Sequence, residues 1–175
     1  MDSTLGFTAL DGLCMGTRPG SLDPGVVLHL FQTLGRTAAE VENVLYKQSG
    51  LIGISGIGND MRDLLTNPDP AARLAVDYFV YEAAKHVGAL AAVLGGVDAL
   101  VFTAGIGEHS AEIRRRICEA SAWLGVALDS GANAGHGPRI STSSSRVSVW
   151  VVPTNEELMI ARHTGALLGI SGPRA

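Results

Sequence analysis

One segment constrains the fold more than any other. Asn67-Pro68-Asp69-Pro70 breaks the chain and supplies a helix start, and from Pro70 to about Leu94 the only charged or imidazole side chains are Arg73, Asp77, Glu82, Lys85 and His86. They make a narrow stripe on an otherwise apolar cylinder, which Gly95-Gly96 ends. Such a helix is expected to be buried nearly all round, inside a core or against a second subunit. Its most apolar part, Val87 to Val97, holds eleven residues without a charge. That is well short of the roughly 20 needed to cross a bilayer, so no transmembrane segment is expected.

The sequence around this helix reads as an α/β layer. Residues 2 to about 25 are dense in Gly, Thr and Asp, with no sustained helical period, and predict strand fragments joined by tight turns. Asp23-Pro24 starts a helix that stops at Gly35, and Thr37-Ala-Ala-Glu40 is a capping box opening a second helix through Gln48. Gly50 to Asn59, with four glycines in ten positions, predicts irregular backbone before a short helix near Asp60. Beyond the long helix, Ala99 to Gly105 is an unalternating apolar run, the pattern of a strand covered on both faces. A glycine turn at Gly105-Ile106-Gly107 and a helix capped by Ser110 follow, and residues 129–145 look like a surface loop. RVSVWVVP is a second strand and NEELMIARHTGALLG a final helix. Strand, helix, strand, helix in that order predicts two parallel strands.

The chain has 175 residues, 46% hydrophobic and 17% charged. It is long enough for one core of ordinary domain size and too apolar for disorder, so a single unit over 1–175 is expected. Thirteen Lys+Arg against seventeen Asp+Glu, without long single-sign blocks, point away from nucleic acid and from a polybasic membrane tether. Eleven of the thirteen basic residues are Arg, the planar fork suited to carboxylates and phosphates. Cys14 and Cys118 show no metal or disulfide spacing and predict buried free thiols. The first residues lack a basic patch followed by an apolar core, so a cytoplasmic location is expected.

Ligands of open α/β sheets bind where strands end, and three glycine-containing corners qualify. At Thr103 to Glu108, glycines admit a ligand close to the backbone, or they make only a tight turn; neither a Walker lysine nor a spaced GxGxxG is present. Gly53 to Arg62 could close over a base or ribose, or be a solvated connection with a capping Asn or Asp. Arg18, between Met15-Gly16-Thr17 and Pro19-Gly20, is placed to meet phosphoryl oxygens or to make a surface ion pair. Glu156, in Pro153-Thr154-Asn155-Glu156-Glu157, could hold Mg²⁺ through water or complement the helix dipole behind a Thr154 cap. Arg114-Arg115-Arg116 reads as a solvated face, and the histidines show no metal spacing.

Taken in order, DSTLGFTALDGLCMGTRPGSLDP, SGIGNDMRDL, FTAGIGEHSAEIR and VPTNEELMIARHT resemble the C-terminal half of the acetate kinase family, in the acetate and sugar kinase, Hsp70 and actin superfamily. The resemblance implies an α/β, actin-like ATPase (ribonuclease H-like) fold, here the C-terminal lobe of an acetate kinase. It implies ATP/ADP and Mg²⁺ as cofactors, reversible phosphoryl transfer between ATP and acetate giving acetyl phosphate, and a homodimer formed through this half. It also implies that Arg18 stabilises the transferring phosphoryl group and that Asp60, Met61 and Arg62 bind nucleotide. Gly105, Ile106, Gly107, Glu108 and His109 would form the adenosine-side loop, with Glu156 associated with magnesium. His109 stands where the family commonly has Asn. A propionate or butyrate kinase, or a non-catalytic nucleotide-binding and dimerising module, is the alternative reading. Because the family's other half carries further catalytic groups, the chain is expected to be inactive alone and to take a separate N-terminal half as a partner.

Overall fold

In the computed structural model, which describes residues 2–170, the first regular elements are α1 (Pro24–Gln32) and α2 (Ala38–Lys47). Asp23 accepts from the Gly25 amide and Pro24 opens α1, while Thr37 and Glu40 form the reciprocal box expected for α2. Residues 2–23 contain no strand, which corrects the expectation of strand fragments. Side chains and turns satisfy their amides instead: Thr8 Oγ1 accepts from Leu10 N at 3.2 Å, Asp11 Oδ1 from Gly12 N at 2.8 Å, and Gly12 O from Ser21 N at 3.0 Å.

The glycine run departs from expectation in a similar way. Gly50–Ser55 is a short helix, α3, and only the residues after it are irregular before α4 (Met61–Thr66). Burial outweighs glycine's poor helix propensity here, because Leu51 is fully buried and Ile54 packs against the same core. Next comes α5 (Pro70–Leu94), with Asp69 as N-cap, Pro70 in the first turn and Gly95 in the left-handed conformation as C-cap. Its Ala72, Ala75, Val76, Phe79, Val80 and Ala83 are buried against the rest of the chain. Leu74 and Tyr81, on the opposite side, are 59 and 64% exposed and Val93 and Leu94, at the C-terminal end, 64 and 63%, so the helix is covered along one side for most of its length and not all round.

Two four-residue strands, β1 (Ala99–Phe102) and β2 (Ser148–Val151), pair in parallel with Ala99 opposite Ser148 and Phe102 opposite Val151. The predicted direction holds. The connection runs through α6 (Ala104–His109), α7 (Ala111–Ala120), a 3₁₀ turn (Ala122–Leu124) and α8 (Ser130–Ala134). Two expectations change along it. The glycine turn at 105–107 is the helix α6, and the 129–145 loop contains α8, capped by Asp129, together with bridges from Leu128 to Ser141 and from Arg139 to Trp150. After β2 the chain enters α9 (Glu156–Leu167), whose N-cap is Asn155 and not Thr154. Cys14 and Cys118 are buried free thiols, as expected, and burial pushes them up to about 11 and about 12. Among the described residues, no helix is long and apolar enough to cross a membrane.

Candidate functional site

The start of α4 and the short helix α6 face each other across a cleft of about 750 Å³, a size suited to a small-molecule ligand. Asp60, Met61 and Arg62 line one side, and Gly105, Ile106 and His109 the other. Sequence reasoning picked these two segments out separately, and the fold brings them together. Asp60 caps α4 by accepting from the Arg62 amide at 2.9 Å, and its carboxylate also takes the Arg62 Nε–H at 3.0 Å. Those bonds hold the Asp60 carboxyl down at about 2. The Arg62 side chain is itself 84% exposed, so a cation stands at the mouth of the cleft.

The α6 wall is fastened at both ends. Ala104, at its start, has φ +59°, the left-handed region that is costly for a residue with a Cβ. Its amide donates to Glu108 Oε1 at 2.7 Å. At the other end, the carbonyls of Gly107 and Glu108 accept from Arg114 Nη1 at 2.9 and 2.8 Å. Arg114 is fully buried, which corrects the reading of the Arg114-Arg115-Arg116 run as a solvated face. Only Arg115 behaves as a surface residue, bridging Glu112 and Glu119, while Arg116 reaches Asp77 on α5. Sequence reasoning missed Arg114, although it lies one turn from Ile117 and Cys118 on the apolar stripe of α7.

Arg18 is not among the residues that line this cleft. Its turn sits on the start of α3, where Leu51 N donates to Met15 O at 2.9 Å and Ile52 N to Gly16 O at 3.0 Å. Gly50 is required there: its φ is +64°, and a Cβ would lie 2.2 Å from Met15 O. A Cβ on Gly16 would lie 3.2 Å from Cβ of Asn59, a residue of the cleft rim, so the turn and the rim are in close contact. The Arg18 guanidinium lies 5.6 Å from the Tyr46 ring centroid and is half-buried.

Glu156 is exposed as the first residue of α9, outside the cleft lining. Thr154, two residues earlier, donates from N and Oγ1 to Glu108 Oε1 at 2.9 and 3.0 Å. Through that contact the Glu156 segment joins the α6 wall. No cluster of three or more His, Cys, Asp or Glu side chains able to cage a metal occurs among the described residues.

Comparison with known proteins gives a consistent result. The family model described as the acetokinase family matches residues 1–162. The acetate kinase of Rhodopseudomonas palustris (strain TIE-1) is 60% identical over 168 residues, covering 94% of this chain and 42% of its own length. The crystal structure of Porphyromonas gingivalis acetate kinase superposes with TM-score 0.86 at 42% identity, over 94% of this chain and 43% of its own. A propionate kinase structure from Francisella tularensis gives TM-score 0.86 at 42% identity, over 93% and 42%. The chain thus spans about two fifths of the length of the relatives it matches.

These matches correct several expectations. The chain is not adequately described as only a C-terminal half, nor its fold as only the C-terminal, actin-like lobe of an acetate kinase. The family model matches most of the chain, and the acetate-kinase fold is followed across 94% of it. With that, the expectations of an inactive or non-catalytic module and of a separate N-terminal half as partner lose their basis.

Proposed function

Because the chain belongs to the acetokinase family, we propose that it serves reversible phosphoryl transfer between ATP and a short-chain carboxylate, acetate first, giving acetyl phosphate and ADP. The meeting of Asp60-Met61-Arg62 with Gly105-Ile106-His109 across one cleft carries this reading. In it, the α4 start and Arg62 meet the nucleotide, and Gly105, Ile106, Gly107 and His109 form the adenosine-side wall. The glycines let a ring lie against backbone without a Cβ between, and a Cβ on Gly105 would meet nothing within 4 Å. Arg18, on a turn held by α3, meets the transferring phosphoryl oxygens, since such transfer depends on positioning and on compensating charge.

An exposed carboxylate such as Glu156 suits Mg²⁺, which keeps several waters and takes one or two carboxylates with substrate phosphates, and does not need an all-protein cage. When bound, the metal would neutralise charge on the phosphates. The chain as a single unit would also form a homodimer, for which the exposed Leu74 and Tyr81 on one face of α5 offer apolar contacts.

A second substrate reading comes from the propionate kinase, which is as similar in structure as the acetate kinase. Calorimetry of the purified chain with ADP and with MgADP, followed by acyl phosphate assays on acetate, propionate and butyrate, tests both readings. Saturable MgADP binding with acetate-dependent acyl phosphate formation is expected. Absence of nucleotide binding at millimolar concentration would overturn the nucleotide assignment, and a preference for propionate would replace acetate as the substrate.

A further inference from the structure

At the ends of β1 and β2, the last backbone link between the two segments among the described residues is Val152 N donating to Phe102 O at 2.9 Å. After that point one side chain joins them. Glu108 Oε1 accepts from Ala104 N at 2.7 Å within its own helix, and from Thr154 N and Oγ1 at 2.9 and 3.0 Å, 46 residues away. Glu108 is not among the residues lining the cleft. One carboxylate oxygen therefore collects three donors, one of them the amide of a residue in the left-handed region. Hydrogen bonds to an ionised acceptor are about twice as strong as neutral ones, which suits an anchor better than a solvated surface acid.

We propose that Glu108 is a positioning residue, a clamp that locks the α6 wall of the cleft to the segment entering α9, and so holds Glu156 in register with the nucleotide side. The functional part of this rests on reading the cleft as a nucleotide site. The bonds from Thr154 and Ala104 hold the Glu108 carboxyl below the usual glutamate range, in keeping with a carboxylate that stays ionised in its role. The charge of His109 acts on it in the same direction.

Two measurements test the clamp. Amide hydrogen exchange on the ligand-free chain is expected to speed up at Ala104 and Thr154 in Glu108→Ala by about tenfold or more, the scale of a hydrogen bond to a charged group. The Leu158 amide, which depends on the Asn155 cap at the start of α9, is expected to follow, while Val149 in β2 stays protected. Glu108→Gln, which keeps an acceptor oxygen, is expected to fall between. An unchanged Leu158 would mean that the bonds are purely local, and uniform acceleration including Val149 would mean general stabilisation; either result overturns the proposal. In titrations, Glu108→Ala is expected to shrink the gain in ADP affinity that Mg²⁺ brings by a larger factor than it lowers metal-free ADP affinity. Equal loss of both would make Glu108 a direct ligand. If the parent chain binds no ADP, the nucleotide reading fails while the exchange result still decides the clamp.

Discussion

Arg114 and Asn133 meet at two points in the interior: Arg114 Nε donates to Asn133 Oδ1 at 2.8 Å, and Nη2 to the Asn133 carbonyl at 2.8 Å. With Gly107 and Glu108 on Nη1, the guanidinium spans α7, α8 and the end of α6, and no carboxylate is among its hydrogen-bond partners. Desolvation lowers its pKa accordingly. An Arg114→Ala change leaves the buried Oδ1 and carbonyl of Asn133 without this donor, at about 1–3 kcal/mol each, and also frees the part-buried Gly107 carbonyl. Urea unfolding is expected to show a loss of at least about 3 kcal/mol, with Arg114→Lys recovering only part because an ammonium cannot reproduce the fork. A loss under about 1 kcal/mol would mean that water replaces the side chain there.

Gly50 offers a sharper test of how the Arg18 turn is seated. An alanine would have to hold φ near +64° and place its Cβ against Met15 O and Arg18 O, at 2.2 and 2.6 Å. The conformation alone costs about 1–2 kcal/mol, and the backbone contact adds to it. Thermal unfolding of Gly50→Ala should show a lowered Tm, and Tyr46 fluorescence should change as the Arg18 turn moves. Gly56→Ala is a useful contrast, since it shares φ +64° but meets nothing within 4 Å. It is expected to lose only the conformational part.

These positions show what a sequence reading can reach. The caps at Asp23, Thr37 with Glu40, Asp69 and Gly95 were legible because each is a local rule of three or four residues. Parallel pairing of β1 with β2 followed from element order. The α3 helix was obscured by its glycines, although Leu51 and Ile54 carry the apolar spacing that holds it against α5. Arg114 was hidden inside a triple-Arg run of which only Arg115 behaves as expected of surface charge, and its one cue was its phase with Ile117 and Cys118. The candidate site was legible as pieces only. That Asp60 and Gly105 share a cleft, and that Glu108 reaches Thr154, are consequences of how α5 and the two strands pack.

Asp60 ties the cleft to pH. Its pKa in the folded chain is about 2, below the ordinary aspartate value of about 3.9, so its contribution is present above that value and is lost as pH falls toward 2. Asn caps helices about as well as Asp, so Asp60→Asn keeps the α4 cap while removing the charge that holds Arg62. Melting the two proteins side by side from pH 6 to pH 2 is expected to show the parent more stable at the upper end, with the difference vanishing at the lower. A gap that stays constant across that range would show that the charge on Asp60 does not contribute.

On the proposed reading, Arg18 would separate binding from transfer. No ion pair to Arg18 is found among the described residues; its neighbours are the Tyr46 ring and Met15 Sδ, the latter 3.8 Å from Nη1. The guanidinium is therefore ordered without being neutralised, a state suited to charge that builds up only during transfer. An arginine compensating a transferring phosphoryl group is worth about 10³–10⁵ in kcat, whereas the stacking on Tyr46 contributes about 0.5–1 kcal/mol of stability. Arg18→Ala is therefore expected to lower kcat for acyl phosphate formation by about a thousandfold or more, with a small drop in Tm. Because Arg18 does not line the cleft, ADP affinity by calorimetry is expected to stay within about threefold of the parent, equivalent to under 1 kcal/mol. Parallel loss of turnover and ADP affinity would show that the Arg18 turn shapes the nucleotide site itself, through the close approach of Gly16 to Asn59, which leaves little room for a Cβ.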